Sequence, residues 1–342
     1  MPPPPTIQRL EDVTRALAKI PDGDAGAVKA AEEREPLLTK PPGSLGRLEE
    51  LTAWLCRWQG RHPPSMGNIQ AQVFAANHGV TQQGVSAYPA DVTAQMVANF
   101  EAGGAAINQL CKTFGIGFAV HALALDRPTQ DFTEDPAMSE DECLDAIVFG
   151  MGTVSDGIDV LCLGEMGIGN TTAAAALCLG LFGGDAGDWT GQGTGVSGKA
   201  LSLKTEIVAG AAKRHGQEAT GPIDLLRRLG GRELAAIAGA VLAARFRRVP
   251  VLLDGYVATA AAAVLEAARP GALDHTRIGH VSTEPGHRLL LDKLAKTPVL
   301  DLNMRLGEAT GAALAVQVLK AAVACHTGMA TFEEAAVAGQ SG

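Results

Sequence analysis

The chain has no run of positive charge longer than the pairs Lys213-Arg214 and Arg247-Arg248. Its 28 Lys and Arg are outnumbered by 37 Asp and Glu, giving a formal net charge of −9. Proteins that hold nucleic acid by neutralising phosphates present a basic face or stripe, so no nucleic-acid partner is expected. A small anionic ligand stays compatible with this balance. Long apolar runs are also missing. Leu234–Ala244 is about the longest, well short of the ~18 residues a membrane span requires, and no span is expected. The opening Met1-Pro-Pro-Pro-Pro5 lacks the charged-then-apolar profile of a secretion signal. The six cysteines form no C-x-x-C pair and sit mostly in apolar runs. Such cysteines read as reduced core thiols, which points to a cytoplasmic address. The eight histidines include no H-x-x-x-H or H-E-x-x-H, and no Cys/His tetrad exists, so no metal and no cofactor are expected. A G-x-S-x-G turn is absent, as is any Ser/His/Asp or Cys/His arrangement. Displacement assisted by a carboxylate is therefore favoured over covalent catalysis.

Glycine is what the chain has in excess. There are 41 in 342 residues, about 12% against a usual ~7%. Without a G-X-Y period, the surplus marks loops where backbone approaches something closely. Charged residues make up 19% and hydrophobic residues 46%, which suits a folded protein of one large or two unequal domains. No internal repeat of fixed period is present. Residues 1–70 read as helical and polar, closing with a helix whose Leu51, Trp54, Leu55 and Trp58 recur at i, i+3, i+4 and i+7. Beyond residue 70, short apolar runs end in Gly-, Asn- or Asp-bearing loops and Ala-rich helical stretches follow. The runs are Val73–Ala76, Ile116–Leu125, Val160–Leu163, Val249–Leu253, Arg277–Val281 and Val299–Leu302. Strands alternating with helices predict an α/β fold, a parallel sheet covered on both faces. Ligands of such sheets bind beyond the carboxyl ends of the strands. The acidic segment Asp126–Asp145 reads as a surface excursion followed by a helix.

Four constellations sit at those strand ends. Val160–Leu163 turns through Gly164-Glu-Met-Gly-Ile-Gly-Asn-Thr-Thr172 into a helix that Asn170 or Thr171 could cap. The free N–H groups and dipole of that helix start make an anion site; an ordinary glycine-rich turn is the alternative. Gly191-Gln-Gly-Thr-Gly-Val-Ser-Gly-Lys199-Ala200 nearly satisfies a nucleotide-triphosphate loop. Ala200, however, replaces the magnesium-binding hydroxyl, and Asp188-Trp-Thr190 is no buried strand. A flexible glycine loop is the better reading, with Lys199 or Lys204 available for a phosphate. His280 and His287 flank Val281-Ser-Thr-Glu-Pro-Gly286 and read as loop-ordering groups rather than ligands. Glu308 follows Gly307 at the start of another helix, where it could serve the helix dipole or act as a general base.

Taken together, the segments resemble the nicotinate-nucleotide–dimethylbenzimidazole phosphoribosyltransferase family of cobalamin (vitamin B12) synthesis. The matching stretches begin with Lys40-Pro-Pro-Gly-Ser-Leu-Gly-Arg-Leu-Glu49 and Asn77-His-Gly-Val80. Gly84-Val-Ser-Ala-Tyr-Pro89, Val92-Thr-Ala-Gln95 and Gly103-Gly-Ala-Ala-Ile-Asn108 follow. Further on lie Gly164–Thr172, Gly191–Gly195, Gly279–His287 and Arg305-Leu-Gly-Glu-Ala-Thr-Gly-Ala-Ala313. They stand in the family's order over nearly the whole chain.

The resemblance implies transfer of phosphoribose from nicotinate mononucleotide to 5,6-dimethylbenzimidazole. The products would be alpha-ribazole 5'-phosphate and nicotinate, with inversion at the anomeric carbon. Glu308 matches the family's catalytic carboxylate and Glu165 a second active-site acid. Tyr88, Gln95, Met166 and Leu306 fall where the family lines the flat acceptor pocket. Gly167, Thr171, Lys204, Ser282 and Thr283 fall on loops that hold phosphate and ribose. The resemblance also implies a Rossmann-like large domain (71–310), a small helical domain built from both chain ends (1–70 and 311–342), a homodimer, and no metal. Two positions depart from the family pattern: Asn77 stands where Asp is usual, and Gln192 where Arg is common. The Asp126–Asp145 region is also shorter than in familiar relatives. Related enzymes that use another base, such as adenine or a phenol, and a non-catalytic mononucleotide sensor are the rival readings. Keeping both Glu165 and Glu308 speaks against a sensor, which gains nothing from acids beside a phosphate.

Overall fold

Each of the six apolar runs forms a strand of one parallel sheet in the computed structural model, which describes residues 4–338. Met1–Pro3 of the proline-rich start and the last four residues of the C-terminal segment lie outside the described residues. Helices α1 (Leu10–Leu17), α2 (Ala25–Arg34) and α3 (Arg47–Gln59) come first. The expected stripe of Leu51, Trp54, Leu55 and Trp58 is the buried face of α3. Then follow β1 (Ile69–Ala75), α4 (Val92–Glu101), α5 (Ala106–Phe114), β2 (Gly117–Ala122), α6 (Glu140–Gly152) and β3 (Val160–Met166). The middle of the chain is helical: α7 (Asn170–Phe182), α8 (Ala186–Trp189), α9 (Lys199–Glu218), α10 (Pro222–Leu229) and α11 (Arg232–Arg247). It closes with β4 (Val251–Leu253), α12 (Tyr256–Ala268), β5 (Thr276–His280), α13 (Pro285–Lys293), β6 (Pro298–Leu300) and α14 (Thr310–Gly328).

The strand order is β2-β1-β3-β4-β5-β6. From β1 the chain steps outward to β2; from β3 it steps the other way as far as β6. The order therefore reverses between β1 and β3, which pair directly, with Phe74 opposite Glu165 and Ala75 opposite Met166. Side chains alternate across the sheet, as strand geometry dictates. Val160, Cys162 and Leu252 pack on one face with α3, α5 and α14. Leu161, Leu163, Val251 and Leu253 pack on the other with α6, α7, α11 and α12. Helix α11 is buried along almost its whole length, and between Leu234 and Ala244 its sequence is apolar on every face, as a fully buried helix requires.

The two chain ends meet. Arg34 Nε donates to His326 O at 2.8 Å, and His326 Nδ1 lies 2.6 Å from Glu35 Oε1. Lys40 Nζ stands between Glu35 (2.9 Å) and Glu49 (2.7 Å). The acidic Asp126–Asp145 segment differs from its reading as a surface excursion. Phe132, Ala137 and Met138 are fully buried in the main core. The Gly79 amide donates to Thr129 Oγ1 at 3.2 Å, and the Ala137 amide to Arg228 O at 2.9 Å. Its carboxylates face water while a few apolar side chains anchor it, and composition alone hid the anchors.

Candidate active site

A cavity of about 640 Å³ opens beyond the carboxyl ends of β3, β5 and β6, beside the β1–β3 reversal. Glu165 and Met166 end β3 and form one wall. Ser282 and Glu284 follow β5, and Arg305–Glu308 follow β6. Gly255–Val257 open α12, while Tyr88, Val92 and Met96 come across from the β1 side. The start of α7 belongs to the same wall. Gly169 takes φ +94°, a left-handed turn open to glycine, and no side chain caps the helix. The sequence suggested an Asn170 or Thr171 cap; instead the Asn170 Nδ2 donates to the carboxylate of Glu165. The Asn170 and Thr172 amides donate to Gly167 O and Gly169 O at 3.1 and 3.0 Å, which leaves the Thr171 amide as the α7 donor at the cavity edge that suits an anion.

Glu308 owes its position to close backbone packing. A side chain at Gly164 would overlap the backbone of Ala309, and a Cβ at Gly279 would come within 2.6 Å of the Ala312 Cα. Two strand glycines therefore let the start of α14 settle directly on β3 and β5. The turn before the helix is bent hard: Glu308 and Ala309 both have φ +61°, a region that costs a side-chain-bearing residue ~1–3 kcal/mol. Three bonds hold it. Glu308 N donates to Glu165 O at 3.2 Å, the Thr310 hydroxyl donates to Gly307 O at 2.7 Å, and Ala312 N donates to Asp254 Oδ1 at 2.9 Å. The Glu308 carboxyl itself has no hydrogen-bond partner among the described residues and is 5% exposed.

Four acids converge here. Burial pushes Glu165 up to about 8, with Asp254, Glu233 and Glu308 adding repulsion and the Asn170 amide opposing it. Burial, then Asp254, pushes Glu308 up to about 7. Asp254 is fully buried, and its second oxygen has no partner among the described residues. Glu233 is fully buried too, 2.5 Å from His78 Nε2, and stands directly behind Gly167. When like charges crowd a dry site, one carboxyl keeps its proton. Burial and this crowding hold both Glu165 and Glu308 well above the ordinary carboxylate range, so that protons bind and leave here near neutral pH.

Eight of the expected residues line the cavity: Tyr88, Glu165, Met166, Gly167, Thr171, Ser282, Leu306 and Glu308. Gln95, Lys204 and Thr283 do not. Gln95 and Thr283 face solvent, beside the lining residues Met96 and Ser282. Lys204 is 1% exposed and stands behind the wall. Its Nζ donates to Thr171 Oγ1 at 2.8 Å and to Gly191 O at 3.0 Å, and burial draws its pKa down to about 8. Because the lysine occupies the Thr171 oxygen as acceptor, the hydroxyl proton is free to point into the cavity. His287 orders a loop, as expected: its Nδ1 accepts from the Ser282 amide at 2.8 Å. Sequence reasoning gave no role to Asp254, Glu233 and Glu284, and it read His280 as a loop-ordering group, whereas His280 lines the cavity and neither ring nitrogen has a hydrogen-bond partner among the described residues. Asp254 had a usable signal, an acid directly after an apolar strand run. Among the described residues no group of three His, Cys, Asp or Glu could hold a metal ion.

A family profile described as phosphoribosyltransferase matches residues 20–337. The nicotinate-nucleotide–dimethylbenzimidazole phosphoribosyltransferase of Sinorhizobium medicae is 57% identical over 328 residues, 96% of this chain and 97% of its own length. The chain belongs to this phosphoribosyltransferase family. The Rhizobium etli member is 56% identical over 331 residues, 97% of this chain and 98% of its own. The crystal structure of CobT from Thermus thermophilus superposes with a TM-score of 0.87 at 40% identity. It covers 92% of this chain and 100% of the other. Within the phosphoribosyltransferase fold, the two departures from pattern stay off the cavity wall. Asn77 is buried and its Nδ2 donates to Leu125 O at 2.8 Å, tying the end of β1 to the loop after β2. Gln192 is exposed, and its backbone carbonyl accepts from Gly195 N and Val196 N.

Proposed function

We infer that this phosphoribosyltransferase moves phosphoribose from nicotinate mononucleotide to 5,6-dimethylbenzimidazole, giving nicotinate and alpha-ribazole 5'-phosphate. The bond between the pyridinium nitrogen and the anomeric carbon breaks, and its electron pair stays with the ring, which departs as nicotinate. The acceptor nitrogen bonds the same carbon from the opposite face, inverting it. The acceptor's N–H proton goes to Glu308. Because the leaving group departs as a neutral ring nitrogen, no metal-bound pyrophosphate has to be expelled, and the protein's tasks are orientation and one base. Orientation contributes ~7–11 kcal/mol in well-aligned reactions, and base assistance ~10²–10⁴-fold.

The observation that carries this reading is the Glu308 carboxyl: buried, without a partner, in the cavity wall, and held near 7. Met166, Val92, Met96 and Tyr88 supply an apolar slot for a flat ring. The amide and hydroxyl of Thr171 at the start of α7, with Gly167 and Ser282, suit the ribose phosphate, and Lys204 acts through Thr171. Gln95 and Thr283 flank these two groups. We also place the enzyme in the cytoplasm as a homodimer, with its large domain spanning 71–310 and its chain ends forming a smaller helical unit. Six free cysteines, five of them buried, suit a reducing compartment, and no helix among the described residues is long and apolar enough to cross a membrane. Incubating the purified chain with nicotinate mononucleotide and dimethylbenzimidazole tests the function. Stoichiometric nicotinate and alpha-ribazole phosphate are expected, and no nicotinate above background would leave only a sensor. Competing adenine and a phenol against dimethylbenzimidazole by kcat/KM tests the acceptor.

A further inference from the structure

A second cavity, of about 370 Å³, lies at the opposite end of the sheet, between α2, α3 and the starts of β5 and β6. Arg277 and Lys296 line it, and both are half-buried. Arg277 Nη1 donates to Thr276 O at 3.1 Å, and Lys296 Nζ donates to the same oxygen at 3.3 Å and to Leu273 O at 2.6 Å. No carboxylate lies within 4.0 Å of either among the described residues. Arg277 makes that one side-chain hydrogen bond, so most of its planar fork is unused. It is set in orientation by the Trp54 ring, 5.0 Å from the guanidinium carbon. Trp58 lines the same cavity, is 2% exposed, and its indole Nε1 has no hydrogen-bond partner. An indole N–H only donates, and an unpaired buried donor costs ~1–3 kcal/mol.

Two neighbouring cations have no carboxylate in contact, and the Arg277 fork and the Trp58 indole both lack acceptors. The carboxylates that line this cavity, Glu32, Glu50 and Asp274, are exposed at its rim, where water and salt screen them. Burial and the neighbouring Arg277 lower Lys296 to about 8, a strain that a bound anion would relieve. One face of Trp54 is covered by Arg277 and one face of Trp58 by Arg245.

We propose that this cavity binds a small oxyanion, a phosphate or carboxylate group, with Arg277 and Lys296 as its charged ligands and the Trp58 indole as a neutral donor. The planar fork of Arg277 suits bidentate contact with such a group. The site is separate from the reaction cavity, because Arg277 lies near the first residue of β5 and His280 is its last.

Calorimetric titration of inorganic phosphate into the full-length protein, at ionic strength fixed with chloride, tests this. The wild type is expected to bind phosphate at two sites, of which nicotinate mononucleotide displaces one. Arg277→Gln and Lys296→Gln should each weaken the other site at least tenfold while nicotinate release stays within twofold of wild type. Arg277→Lys, which keeps the charge without the fork, should bind at an intermediate level and carries the test if Arg277→Gln lowers the Tm. Acetate competing for the second site would mark it as open to carboxylates, and acetate without effect would mark it as a phosphate site. A single phosphate site in the wild type, fully displaced by the mononucleotide, would overturn the proposal. So would unchanged phosphate binding in both Gln variants.

Discussion

Replacing Glu308 by Gln separates the chemistry of this site from its architecture. Glutamine keeps the shape, the φ of +61° and the backbone bonds, and removes only the ability to take a proton. With no other unpartnered carboxyl in the apolar slot among the described residues, turnover should fall by about 10²–10⁴. The KM for nicotinate mononucleotide should change little, because that substrate's phosphate and ribose are held elsewhere. The same substitution has a stability signature. Burial and Asp254 raise Glu308 from an ordinary 4.5 to about 7. Across that window the folded chain retains a proton that the unfolded chain has released, so stability falls as pH rises through it. The gap corresponds to roughly 3 kcal/mol at ~1.4 kcal/mol per pKa unit. Glu308→Gln should therefore be more stable than wild type by about that amount at pH 7–8 and no more stable at pH 4. Urea unfolding at the two pH values, with steady-state kinetics, reads both effects. Unchanged kcat would remove Glu308 from the reaction. A stability difference that does not vary with pH would refute the account of its burial.

Other perturbations follow from the same geometry. The kcat/KM of the wild type should fall below pH 7 as Glu308 takes a proton, and Asp254→Asn should move that limb to lower pH; a limb that stays put would clear Asp254 of influence. Lys204→Met and Thr171→Ala should each raise the donor KM by roughly tenfold, about 1.4 kcal/mol, with little change in kcat. Because the lysine acts through the threonine, their effects should not add in the double variant. Gly164→Ala forces a methyl group against the Ala309 backbone, and overpacking of this kind costs ~1–3 kcal/mol. A lowered Tm together with lost turnover is expected, and a fully active, equally stable variant would contradict the close packing of α14 on β3.

The strands were legible because buried parallel strands read as continuous apolar runs, and Val160–Leu163 and Val249–Leu253 do so plainly. Strand ends then located Glu165 and the Ser282 loop without further knowledge. Lys204 was harder. It lies on a twenty-residue helix, α9, and which side of that helix meets Thr171 depends on packing against α7 that no local pattern encodes. Gln95 and Met96 are neighbours on α4, yet only Met96 lines the cavity, since adjacent helical positions point about 100° apart. The bent approach to α14 left one trace, Gly307 at φ +84°, and nothing that marked the two residues after it. A turn with two positive φ values normally announces itself with glycine or asparagine, whereas here Glu308 and Ala309 are held in it by contacts from β3 and the acid after β4.

That strain and the crowding of acids have one explanation between them. Glu308 is useful only if its carboxyl stands in a dry slot facing the acceptor, and both dryness and facing work against the folded state. Its backbone must turn through an unfavourable region, and its charge must sit near Asp254 and Glu165 with no cation in hydrogen-bond reach. A histidine or arginine placed beside it would satisfy the charge and lower its affinity for a proton, which would weaken it as a base. The fold instead leaves it unpaired and places the stabilising contacts one step away. Asp254 accepts from the α14 backbone, Asn170 donates to Glu165, and His78 stands against Glu233. Each neighbouring acid is given a partner; the one that reacts is not.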